Sequence, residues 1–145
     1  MPKIVRLVIA VVAGYAFGSA VNIGLILAGG HVIPPPAGAD VTTTEGLKAA
    51  IPLFEPRHFV FPFLAHALGT FAGVFVATLL APDRSRGPAW TVGTLFLLGG
   101  FAAVYMLPAP PWFNAIDLLL AYGPPGLAGY WLATRGRRTS DSSRL

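Results

Sequence analysis

The chain has 145 residues, 54% of them hydrophobic and only 11% charged, with ten Lys and Arg against six Asp and Glu. A soluble domain carries about 25% charged residues, so this surface is too apolar to be wetted all round. Cysteine is absent, which excludes disulfides, thiolate metal sites, thiol nucleophiles and redox dithiols.

A helix needs roughly 20 apolar residues to cross a bilayer core. Four segments meet or approach that length: Leu7–Gly30, Phe59–Ala81, Trp90–Leu107 and Ala115–Thr134. The second contains His66 and the fourth Asp117; otherwise all four lack charge. None shows the polar stripe of a helix that faces water. The sequence therefore predicts an all-α membrane protein, a four-span transmembrane helical bundle over residues 1–135 followed by a disordered cytoplasmic tail over 136–145. The first apolar run continues past Gly18-Ser19-Ala20 to Gly30. It is too long for a secretory h-region of about 7–15 residues and reads as an anchor.

Basic residues near the span ends set orientation. Lys3, Arg6, Arg84, Arg86, Arg135, Arg137, Arg138 and Arg144 fall on one side, with only Lys48 and Arg57 on the other. The richer side should be cytoplasmic, placing both termini inside a bacterial inner membrane. At these boundaries topology and anionic lipid account for the basic excess, and nucleic acid is excluded as a partner.

Residues 31–58 form the long outer connection. Pro34-Pro35-Pro36 should leave the first span as a stiff extended stretch. Thr42 and Glu45 have capping-box spacing, and Leu47, Ala50, Ile51 and Phe54 follow at helical spacing. A short amphipathic outer-loop helix is expected there. The tight Met106–Asn114 connection carries Trp112 and Phe113, expected at headgroup level.

Lipid is as apolar as leucine, so spans associate through close backbone approach. Gly14 and Gly18 in the first span, Gly69 and Gly73 in the second and Gly129 in the fourth lie on small-residue ridges and should be packing positions. Leu64–Thr78 also aligns without gaps with Leu120–Thr134, suggesting a parallel repeat in which His66 and Tyr122 are equivalent.

Polar groups inside the hydrocarbon are costly and so mark candidate sites. Counting 1.5 Å per residue puts Asn22, His66 and Tyr122 roughly 10–12 Å below the outer surface, with Asp117 about a turn shallower. Asn22, His66, Asp117 and Tyr122 thus form a candidate ligand or ion site; the plain alternative is hydrogen bonding between helices. In Gly123-Pro124-Pro125-Gly126, Pro124 and Pro125 should break the fourth helix in mid-span. No His-x-x-x-His or Glu-x-x-His lies within a span, which leaves a metal site unspecified. No nucleophile–base pair can be read, and neither enzymatic activity nor a cofactor is expected.

The first span lacks the buried acid of small multidrug transporters. Cysteines needed by vitamin K reductase-like enzymes are missing, and the charge bias differs from dual-topology fluoride channels. The expected function is a non-catalytic membrane component binding a partner or small ligand near its outer face. The alternative is a small transporter or permeation element using His66, Asp117 and the proline break. Expected partners are the bilayer and either further copies of the chain or a larger membrane complex.

Overall fold

The computed structural model describes residues 1–142, with side chains through Arg135. The tail expected to be disordered over 136–145 instead begins as helix through Ser142, and residues 143–145 lie outside the described residues. The helices are α1 (Lys3–Val32), α2 (Thr44–Ala50), α3 (Val60–Leu80), α4 (Arg86–Met106), α5 (Pro111–Leu120) and α6 (Gly123–Ser142). Short 3-10 turns occupy Ile51–Leu53, Pro56–Phe59 and Pro82–Arg84. No strand occurs among the described residues.

Three segments are long and apolar enough to cross a membrane: Lys3–Val32, Pro56–Leu80 and Arg86–Met106. Helix α1, with 30 residues, extends about 45 Å at 1.5 Å per residue, beyond the ~30 Å hydrocarbon core. Its exposed side chains include Val8, Val12, Phe17, Ile23 and Leu27. Such a perimeter suits lipid and not water.

The α1–α3 contact is a glycine seam. A Cβ on Gly14 would stand 2.7 Å from the Gly73 carbonyl oxygen, and one on Gly18 2.5 Å from that of Gly69. From the other side, a Cβ on Gly69 would meet the Gly18 oxygen at 3.0 Å and one on Gly73 the Gly14 oxygen at 3.1 Å. Gly129 brings α6 equally close to α3, its Cβ position lying 2.6 Å from the Phe71 oxygen. Helix α3 is therefore central. Val74 and Ala77 on α3 then pack with Ala89 and Val92 on α4 at one end of the bundle.

At the other end α2 and the two 3-10 turns that follow it form a cap, closed by Ile51, Phe59 and Phe113. The N-cap of α2 is Thr43, whose hydroxyl accepts from the Gly46 N–H at 3.0 Å. Thr42, expected in that role, instead donates its hydroxyl to Asp40 at 2.6 Å. Glu45 pairs with Lys48 at 3.3 Å and does not reach back. Asp40 displaces the Thr42–Glu45 box because its carboxylate accepts from the Thr42 backbone and from both threonine hydroxyls. A true capping box forms between Glu55 and His58. Phe113, expected in a turn, lies in the first turn of α5 with its ring 4.7 Å from Phe59.

The break in the last helical region falls at Ala121–Tyr122, before the two prolines. Pro124 and Pro125 occupy the first turn of α6, where backbone N–H groups have no intrahelical partner anyway. The Gly126 N–H donates to the Tyr122 carbonyl at 3.0 Å and closes that turn. The aligned stretch Leu64–Thr78 is continuous helix, so the two halves of the suggested repeat differ at this point. Between α3 and α4, Asp83 and Arg84 both adopt positive φ, 53° and 49°, and Arg84 donates to the Ala133 carbonyl of α6.

Candidate functional site

His66, on the second turn of α3, faces Asp117, on the last turn but one of α5. Its Nδ1 lies 2.8 Å from Asp117 Oδ1 and 2.9 Å from Oδ2. The Tyr122 hydroxyl donates to the same Oδ2 at 3.1 Å. The His66 and Tyr122 rings stack, with centroids 5.7 Å apart and planes 28° from parallel. The break creates this triad. In an unbroken helix, neighbours on one face are three or four residues apart, and Tyr122 is five from Asp117. The bend at Ala121–Tyr122 turns the phenol back onto the carboxylate.

Room for that phenol comes from Gly100 on α4: a Cβ there would stand 2.5 Å from the Tyr122 hydroxyl oxygen. Sequence reasoning missed Gly100. In an apolar span rich in glycine, only the position of the neighbouring helix distinguishes it.

His66 and Asp117 of the triad line a cavity of about 270 Å³ beneath the cap. Asp117 is almost wholly enclosed, its side chain 4% exposed, whereas His66 keeps 22%. Both residues line the cavity, His66 with the larger exposed share. The walls are mostly apolar, with Ile51, Phe54, Phe59 and Phe113 from the cap side. His58 also lines the cavity but has both nitrogens occupied: Nδ1 accepts from the Glu55 N–H at 2.9 Å, and Nε2 lies 3.2 Å from the Pro34 carbonyl. Asn114 gives its amide N–H to the Ala109 carbonyl at 3.3 Å.

Three of the four residues singled out by depth, His66, Asp117 and Tyr122, come together. Asn22 does not join their hydrogen bonds; it packs on α1 against Gly69. Thr70, one turn beyond His66, is fully buried with no partner for its hydroxyl. Among the described residues no three His, Asp or Glu side chains gather as metal ligands.

Chemically, the arrangement is a carboxylate that fixes an imidazole through Nδ1 and so presents Nε2. Comparison with protein-family models, with curated proteins and with solved structures finds no match. The functional reading therefore rests on this geometry.

Proposed function

We propose that the chain is a four-span membrane protein, with both termini cytoplasmic, that binds a small lipid-soluble ligand in the cavity beneath its outer cap. The observation that carries the reading is an apolar cavity whose lining holds a hydrogen-bonded His66–Asp117 pair. Binding sites combine mostly apolar walls with a few placed polar groups. Intramembrane ionisable residues, costly in lipid, mark function by default. The fourth span is α5 followed by α6. Helix α5 has 10 residues and reaches only about 15 Å, so the crossing needs both pieces. Exposed Leu119, Leu120, Leu127 and Trp131 give that pair a lipid-compatible perimeter.

The permeation reading draws on the broken helix, because such breaks line ion paths in transporters. Against it stands the packed layer of Val74, Ala77, Ala89 and Val92 on the inner side of the triad.

The test is the small-molecule content of protein purified from native membrane in mild detergent, read by mass spectrometry. A stoichiometric ligand in the wild type, lost from His66→Phe protein that remains monodisperse, supports the reading. A ligand-free wild type that also binds no lipid-soluble molecule added back overturns it.

A further inference from the structure

A second apolar recess lies between α4 and α6, with a volume of about 450 Å³. Arg86, Trp90 and Leu97 of α4 line it, with Leu127 and Tyr130 of α6 opposite. Trp90 and Leu127 are exposed, so the recess is a groove open to the lipid-compatible perimeter. From Arg86 to Leu97 the helix rises about 16 Å at 1.5 Å per residue, close to half the hydrocarbon core. The groove thus has the depth of one leaflet. At ~30 Å³ per water-sized group its volume holds about fifteen methylene-sized units, the bulk of one acyl chain.

The charge lies at one end. Arg86 is the first residue of α4. Its Nε–H donates to the Tyr130 hydroxyl at 3.3 Å, and its guanidinium carbon stands 6.0 Å from the Tyr130 ring centre. Those contacts hold the cation beside the groove and engage only Nε. Its two terminal NH2 groups have no protein partner among the described residues, whose ion pairs involve Lys48, Arg57 and His66. Arg84 donates to the Ala133 carbonyl and Arg135 lies over the Trp131 ring, which brings two more cations to the same end. Asp83 is the one acid with a described side chain there. That end is short of anions, and the paired NH2 groups of an arginine match two oxygens of a phosphate.

We propose that the groove holds an anionic phospholipid, one acyl chain lying between α4 and α6 and the phosphate on Arg86. A zwitterionic lipid offers the same phosphate but carries its own cation, which the neighbouring arginines repel. Basic pockets between spans take anionic headgroups for this reason. Neither His66 nor Asp117 lines the groove, so this site and the capped cavity can fail separately.

The experiment uses the full chain in a Trp112→Phe/Trp131→Phe background, which leaves Trp90, in the groove wall, as the sole indole. It is reconstituted in phosphatidylcholine vesicles containing rising fractions of brominated phosphatidylglycerol or brominated phosphatidylethanolamine, and bromine quenching of Trp90 is read. Phosphatidylglycerol should quench in preference to phosphatidylethanolamine. Arg86→Gln should cut that preference about fivefold, the share of one arginine near a membrane surface, and Arg86→Lys should keep most of it. A Cβ on Gly93, which also lines the groove, would meet only Val74 at 3.7 Å, ordinary contact. Gly93→Leu therefore fills the groove and should weaken quenching by both lipids. Equal quenching by the two lipids in the wild type, or an unchanged preference in Arg86→Gln, overturns the proposal. Quenching undiminished in Gly93→Leu marks ordinary surrounding lipid and overturns it as well. So does a Trp90 that neither lipid quenches, the result if a second copy of the chain covers the groove.

Discussion

The Tyr122 hydroxyl fills the space that a side chain at position 100 would need, 2.5 Å from where a Cβ on Gly100 would lie. One glycine on α4 therefore sets whether the phenol can reach Asp117. Gly100→Ala should displace Tyr122 and lower stability by about 1–3 kcal/mol, the usual cost of overpacking. Thermal unfolding in detergent measures this. In a Tyr122→Phe background, where the hydroxyl is gone, the same alanine should cost clearly less. Equal costs in the two backgrounds would show that the residues are uncoupled.

Asp117 satisfies two donors at once. Asp117→Leu leaves His66 and Tyr122 without their partner and should destabilise the protein by about 3–5 kcal/mol, the range for breaking a buried pair. Asp117→Asn, which retains an acceptor oxygen, should cost less. Chemical denaturation in mixed micelles ranks the two, and the reverse order would contradict the assigned hydrogen bonds.

The glycine seam makes a position-specific prediction. Gly18→Ala drives a methyl toward the Gly69 backbone and should destabilise by about 1–3 kcal/mol. Gly24→Ala, on the same helix with nothing within 4 Å of its Cβ position, should change stability little. Both are read from the same melting experiment, and similar shifts would refute the seam.

In the cap, Asp40 has its carboxyl held below the ordinary aspartate value, first by the Thr42 hydroxyl, then by the Thr42 backbone N–H and by Thr43. A carboxyl with a lowered folded-state pKa stabilises the folded form at neutral pH. That support is lost as pH falls through the lowered value. Hydrogen exchange at the Thr42 and Gly46 amides should therefore stay slow at neutral pH and quicken only in strong acid. Thr43→Ala should expose the Gly46 amide at all pH values, at a local cost of about 0.5–2 kcal/mol.

The absence of cysteine makes the orientation directly testable. Ala37→Cys, in the connection after α1, should react with a membrane-impermeant maleimide in intact cells. Gly87→Cys, whose Cβ position is open, should react only after the membrane is permeabilised. The opposite pattern would invert the proposed topology.

The triad was legible because depth is countable: in an apolar run each polar residue has a position along the bilayer normal fixed by helical rise. Azimuth was not legible, and Asn22, at matching depth, packs on Gly69 instead of joining the triad. The prolines signalled a break, but its place depended on where missing N–H groups do no harm, which moved it to Ala121–Tyr122. The cap of α2 shifted to Thr43 because Asp40, outside the motif, competed for Thr42. Gly100 gave no signal, since its role exists only once α4 lies against Tyr122.

The Ala121–Tyr122 joint has one further consequence. Helix α5 is held through Phe113 by the aromatic lid, while α6 is clasped to α3 at Gly129 and to the inner turn by Arg84. The joint between these two separately anchored rods is itself buried, and the Tyr122 hydroxyl ties it back to Asp117 of α5. Loss of that one hydrogen bond would leave α5 and α6 coupled only through a two-residue link.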